Sequence, residues 1–235
     1  VIYKILRNFV VFALVTITTQ AVLGMIFASF FINRLRGSSV FRILFYLPAV
    51  VTSTIVGQVF SKFFEANRGY LNTLLRSLGM GGLCRTWLAD PSLALGCLCF
   101  VNIWQWTGYS MLLYYAGMLN IGNDIYEAAE IDGANAWQRF WHVTFPSMTP
   151  IIFYNMLMSL ITNMQVVTPA LALTKGGPGK SSYFMSYMLY NYAFKQRGKI
   201  GLACAIAFVL FLLIGAFTLL LFATSKSWIF YEGGD

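Results

Sequence analysis

The chain has 235 residues, 58% of them hydrophobic and 17% aromatic, with only 10% charged and a mean hydropathy of +0.68. A soluble domain carries about 25% charged residues. This composition therefore excludes a globule covered by polar groups and predicts an all-α, polytopic helical membrane protein. The formal charge of +8 comes from sixteen Lys and Arg scattered between apolar runs. With no basic block, it points to interfacial anchoring and topology and not to nucleic acid.

Spanning about 30 Å of hydrocarbon takes roughly 20 apolar residues per helix, and five runs meet that need. The first, 9–32, carries no charge and leads to a basic turn with Arg34, Arg36 and Arg42. It is too long for the 7–15 residue core of a signal peptide, and with Val1 as the first residue a further amino-terminal segment is expected. The second run, 43–60, contains Pro48 and Gly57, tolerated in membrane helices when neighbours satisfy the freed backbone. Residues 62–91 are more polar, and LNTLLRSL within them has the pattern of an interfacial helix.

The third run, 92–119, places Asn102, Gln105, Trp106 and Tyr109 at i, i+3, i+4 and i+7. The fourth, 151–173, places Asn155, Ser159, Thr162 and Asn163 on one face. The turn-rich LTKGGPGKSS follows, then YFMSYMLYNYAFKQRGK and the fifth run, 200–223, whose GLACAIA start suits close helix packing. One membrane domain, 1–235, is expected, with no soluble domain and no repeat.

None of the five runs holds an ionisable residue in its centre, which argues against a proton-coupled carrier. The single histidine, His142, leaves no two-histidine metal site, and its place in the polar stretch 123–150 argues against a Ser-His-Asp triad within the runs. Cys97, Cys99 and Cys204 fall inside apolar runs and Cys84 has no loop partner, so the cysteines read as packing residues. Thr174–Ser181 nearly matches G-x-x-x-x-G-K-[ST], but Thr174 stands at the first glycine and no buried strand precedes it. A Gly-Pro turn is the expectation there.

The stretch 123–150 is the longest polar and charged segment between strongly apolar runs, and holds four of the eight carboxylates: Asp124, Glu127, Glu130 and Asp132. Asp124 is positioned to cap a helix with Glu127 at its third residue. Ala128 and Ala129 form a smooth face, and Gly133 permits positive φ and a sharp turn. Trp137, Phe140 and Trp141 give a second short helix an aromatic face, and Pro146 and Pro150 suit re-entry into a helix. An ordinary interfacial connection accounts for the aromatics, but not for the Ala-Ala, Gly and Pro spacing together.

Glu127-Ala128-Ala129, Gly133, Val143 and Phe145-Pro146 resemble the cytoplasmic loop of inner-membrane permease subunits of ATP-binding-cassette importers, in the sugar-type, binding-protein-dependent family. Phe145 replaces the family's usual Leu, and Gly122 stands where a Pro commonly precedes the motif. Asn72, Leu74-Leu75, Trp87-Leu88-Ala89-Asp90-Pro91, Trp104, Ala116-Gly117-Met118 and Gly176-Gly177-Pro178 extend the likeness over essentially the whole chain. The Gly-Gly-Pro loop is closer to the first of the two paired permeases.

The resemblance implies a type I importer permease fold and a non-catalytic subunit of a bacterial or archaeal inner membrane. It implies a cytoplasmic coupling loop at about 120–150 whose helix sits in a groove of a nucleotide-binding ATPase subunit. Glu127, Ala128, Ala129, Asp132, Gly133, Trp137, Phe140 and Pro146 are the expected coupling residues. The implied partners are a second homologous permease, a dimer of ATPase subunits holding ATP and Mg, an extracytoplasmic solute-binding protein, a carbohydrate substrate and membrane lipid. This chain itself would bind no cofactor, metal or nucleic acid. A same-superfamily permease for another solute, such as a phosphorylated polyol, and a stand-alone secondary carrier are the alternatives.

The polar faces of the third and fourth runs supply the expected substrate path: Asn102, Trp106, Tyr109, Asn155, Thr162 and Asn163. Interhelical hydrogen bonding explains the same residues equally well. Charge runs against the motif's orientation. Arg34, Arg36, Arg42, Arg139 and Lys226 fall on its side, and eleven Lys and Arg on the other, the reverse of the positive-inside rule.

Overall fold

The computed structural model describes residues 2–32, 37–196 and 198–230; Arg34 and Arg36 of the expected basic turn, and Arg197, lie outside them. Helix α1 (Ile2–Ile32) buries a stripe that repeats every three to four residues, Ile5, Phe9, Phe12, Thr16, Gln20 and on to Ala28 and Phe31. That stripe packs along α5 (Ala94–Leu119). At Gly24 a Cβ would lie 2.9 Å from that of Ser110, so the two helices meet at van der Waals contact.

The second run is not one straight helix. It forms α2 (Ser38–Val50) and α3 (Ser53–Phe63), which meet at 95°. Pro48 cannot donate a backbone hydrogen bond and its carbonyl accepts Val51 N–H, closing α2. Gln105 stabilises the break from α5, its Nε2 donating to Val51 O at 3.0 Å and lying 3.3 Å from Ser53 Oγ.

The fourth run is displaced and shorter than expected. Helix α8 runs from Phe145 to Met164, and after a break at 165–167 the chain resumes a helical course that passes into a π-helical turn, Ala170–Thr174. Gly57 of α3 packs so closely on Ala172 of that turn that a Cβ would fall 2.4 Å from the alanine Cβ. Helices α4 (Tyr70–Ser77) and α9 (Met185–Tyr190) flank this region. Helix α10 (Ile200–Ser225) remains largely exposed along the outside.

Among the described residues, α1 and α10 are long and apolar enough to cross a membrane, and α2 and α3 reach that length and apolarity only when taken together across their 95° bend. Helices α5 and α8 have 26 and 20 residues, enough at about 1.5 Å per residue. They direct much of their polarity inward, through buried Asn102, Gln105, Ser110, Asn155 and Asn163.

The core divides by level. One cluster joins α3, the start of α5 and residues 170–187; another joins the ends of α1 and α5 to Met148; a third joins α1, α8 and α10. Outside the helices, Asn72 holds the 66–87 connection together. Its Nδ2 donates to Ala66 O and Arg85 O, both at 2.9 Å, and its Oδ1 accepts from Trp87 Nε1 at 2.8 Å.

Candidate functional site

Glycine at position 133 terminates α6 (Asn123–Ile131) with φ +78°. Gly133 N–H donates to Glu130 O at 3.0 Å and Ala134 N–H to Ala129 O at 2.9 Å. Together these satisfy the carbonyls left open at a helix end and reverse the chain. Asn135 then starts α7 (Ala136–Arg139): its Oδ1 accepts from Gln138 N–H and its own N–H donates to Gln138 Oε1, each at 2.9 Å. The reciprocal cap expected at Asp124 and Glu127 is therefore found at Asn135 and Gln138. Gly122 occupies the N-cap of α6 without a side-chain hydrogen bond, which makes Asp124 the second helical residue.

The second piece is also not a separate short helix. Helix α7 continues through a π-helical turn, Phe140–Thr144, into α8. Phe145 N–H reaches back five residues to Phe140 O, and Pro146 follows in the first turn of α8. Pro150, inside the helix, leaves Pro146 O without its usual N–H partner, and Thr149 Oγ1 donates to that carbonyl at 2.7 Å. Trp137, Phe140, Trp141 and Phe145 form a continuous aromatic ladder, with successive ring centroids 5.2–6.5 Å apart. Phe145 thus contributes packing that a Leu would supply less fully.

This segment stands out from the bundle. Glu127, Ala128, Asp132 and Gly133 are exposed, and Ala129 is half-buried. Ile131 is 87% and Trp137 70% exposed, far more than apolar side chains in a finished core. Glu130 pairs with Arg139 across the turn, leaving Glu127 and Asp132 without an ion pair among the described residues. One bond ties α6 to the turn that leads into α8, and a second ties the carboxyl-terminal residues to α8 beside it. Tyr126 Oη lies 2.9 Å from Thr144 Oγ1, and Phe230 N–H donates to Thr149 Oγ1 at 2.8 Å. Beside it lies a cleft of 1270 Å³ lined by the end of α1, Tyr114, Tyr126 and the aromatic ladder. Neither Tyr126 nor Asn135 belongs to the motif residues of the sequence; the Asn-x-x-Gln spacing is the local signal for the second.

The expected path residues separate into two groups. Asn102 Oδ1 accepts from Gln20 Nε2 at 2.8 Å, and Asn155 Nδ2 donates to Tyr114 Oη at 2.7 Å and Ser110 Oγ at 3.2 Å. Both are buried and hydrogen-bonded to neighbouring helices. Asn163 is also buried. Trp106 and Tyr109 are exposed as an edge-on pair 6.4 Å apart, and Thr162 is exposed with its hydroxyl donating to Met158 O. In the Gly-Pro turn, Lys175 and Lys180 have positive φ, and the next helix, α9, begins only at Met185. No helix N-terminus follows the turn directly, so it lacks the context of a phosphate-binding loop.

A family model described as "Binding-protein-dependent transport system inner membrane component" matches residues 5–227. The chain is 37% identical to the probable ABC transporter permease protein YesP of Bacillus subtilis, covering 86% of this chain and 65% of that one. It is 31% identical to the lactose transport system permease protein LacF of Rhizobium radiobacter, covering 96% and 76%. It therefore spans about two thirds to three quarters of these relatives. Two crystal structures of a bacterial alginate ABC transporter share its fold, with TM-scores of 0.82 and 0.78 at 19% and 20% identity. They cover 95% of this chain and 78% and 76% of theirs; the second holds an alginate pentasaccharide-bound periplasmic protein.

Proposed function

Since the chain belongs to the family of binding-protein-dependent transport system inner membrane components, we propose that it is the transmembrane permease subunit of an ATP-driven importer. It moves a sugar or related carbohydrate from an extracytoplasmic binding protein into the cytoplasm. The observation that carries this reading is the projecting segment 122–146. It has a rigid reversal at Gly133, unpaired acids and exposed Ile131 and Trp137, and it runs without a break into α8. A force applied to α6 reaches a membrane helix through a capped turn and a hydrogen-bonded Tyr126–Thr144 tie. That is the form of a mechanical coupler.

In this reading α6 sits in a groove of an ATPase subunit at the cytoplasmic face of the inner membrane. Glu127 and Asp132 meet basic or N–H groups there, Ala128 and Ala129 permit close approach, and Ile131 and Trp137 lose their water. ATP with Mg binds the ATPase pair, whose closure draws two such helices together, one from this chain and one from a second permease. The spans respond by exchanging inward- and outward-facing states. The sugar reading is supported by the lactose transport role of the relative LacF, and exposed Trp106, Tyr109 and Thr162 are the side chains best placed to touch a passing carbohydrate. Buried Asn102 and Asn155 act between helices.

Co-purification of the complex tests the reading. Glu127→Lys and Gly133→Val should lose the ATPase subunit while the two permeases stay together in the membrane. Retention of the ATPase with full transport in both variants would refute it.

A further inference from the structure

Arg42 stands in the second turn of α2 with its charge unpaired: no carboxylate among the described residues lies within ion-pair distance of it. Its Cζ lies 4.3 Å from the centroid of the Tyr115 ring, within cation–π range. Nε donates to Ser38 O at 3.3 Å and Nη2 to Ser39 Oγ at 3.1 Å. The guanidinium is therefore held in place from one edge and one face. Its Nη1 group has no hydrogen-bond partner among the described residues. A planar guanidinium with free N–H groups suits phosphate or carboxylate oxygens.

Beside this cation begins an apolar groove of 460 Å³ between α1, α2 and α5. Phe41, Phe45 and Pro48 line it from one face of α2, Phe27 from α1, and Trp104 and Gly108 from α5. Arg42 follows Phe41 directly and lies one turn before Phe45. Tyr115 lies two turns beyond Gly108 on the same face of α5, toward the end that leads into α6. Phe45 and Tyr115 pack against the same buried cluster. The cation thus sits at the coupler end of the groove, and the hydrocarbon walls run away from it toward the bend between α2 and α3.

This combination selects the occupant. Thr107 brings the one hydroxyl in the lining, and it donates to Ile103 O at 2.6 Å. The walls therefore offer a saccharide little beyond the indole N–H of Trp104. A partner helix would have to carry a carboxylate at membrane depth, where ionisable side chains are costly and rare. A phospholipid supplies an anion and hydrocarbon in one molecule, and anionic headgroups are drawn to basic residues at the membrane surface. We propose that Arg42 and this groove bind an anionic phospholipid, its phosphate on the guanidinium and one acyl chain along Phe41, Phe45, Pro48 and Trp104.

Trp104 reports occupancy, because bromine on an acyl chain quenches the fluorescence of an indole that it touches. The full chain, purified with its companion subunits into nanodiscs of zwitterionic lipid, receives brominated phosphatidylglycerol or brominated phosphatidylcholine at the same low mole fraction. The quenching that disappears in Trp104→Phe belongs to the groove. It should favour the anionic lipid about fivefold, the preference that one cation near the surface confers. Arg42→Gln should abolish that preference while the size-exclusion profile stays that of the parent. Equal quenching by the two lipids overturns the proposal, and so does a preference that persists in Arg42→Gln. Absence of Trp104 quenching by either lipid also overturns it, and assigns the groove to a protein neighbour. The comparison of lipids requires no change at Arg42, so it decides the matter even where Arg42→Gln fails to assemble. Neither ATP nor sugar enters the measurement, which separates its outcome from that of the transport reading.

Discussion

Gln105 of α5 donates from Nε2 to the carbonyl of Val51 at 3.0 Å, where α2 turns through 95° into α3. A helix break exposes backbone groups that hydrocarbon cannot satisfy, and this side chain supplies one missing partner. Gln105→Leu should destabilise the protein by about 1 kcal/mol, the net worth of a typical hydrogen bond, since the Val51 carbonyl is only partly shielded. Thermal unfolding of the purified protein in nanodiscs measures it; a melting temperature equal to that of the parent would show that water or another group replaces Gln105.

Close approach of α2 to α5 depends on Gly108. A Cβ there would lie 1.9 Å from Phe45 O, a backbone atom that cannot yield without moving α2. Gly108→Ala should reduce the yield of assembled protein severalfold. Gly96→Ala, with nothing within 4 Å of its new Cβ, should be tolerated. Size-exclusion profiles of the two variants decide the matter.

Interhelical bonding and substrate contact make opposite demands on the α5–α8 residues. Asn155→Leu removes bonds to Tyr114 and Ser110, and such bonds are worth about 0.6 kcal/mol on average within membranes. With two bonds lost, it should lower stability by about 1 kcal/mol and leave the order of preferred sugars unchanged. Trp106→Ala should alter sugar preference with little loss of assembly. Competitive uptake in proteoliposomes compares them, and a changed sugar order in Asn155→Leu would return that residue to the substrate path.

The capped reversal between α6 and α7 allows a test of rigidity. Asn135→Ala removes the cap of α7, which typically costs about 0.5–2 kcal/mol. Gly133→Val places a branched side chain in a left-handed conformation that costs about 1–2 kcal/mol. Both should increase amide exchange in 123–139. Protection equal to the parent chain would show that the turn is held by other contacts.

In the polar connection, Asn72 gathers three separate backbone and side-chain partners from a buried position. Asn72→Ala should make residues 66–87 markedly more sensitive to added protease, with loss of about 2 kcal/mol or more from the stranded groups. Unaltered cleavage would contradict the hub role.

Amino-acid composition by itself determined the membrane class, because 10% charged residues cannot cover a globule of this length. Spacing determined the bend after α6 as well, since Gly133 is the residue type that takes φ of +78° without steric cost. Only the tertiary structure decided where the spans break. Pro48 is visible in the sequence, but the partner that makes a break tolerable, Gln105, is fifty-four positions from Val51. The same limit applied to the polar faces: equal spacing placed Asn102 and Trp106 together, while packing of α1 buried one and left the other exposed. Local periodicity records which residues share a helix face. Which part of that face meets a neighbour depends on contacts between distant segments, and those arise only when the helices are assembled.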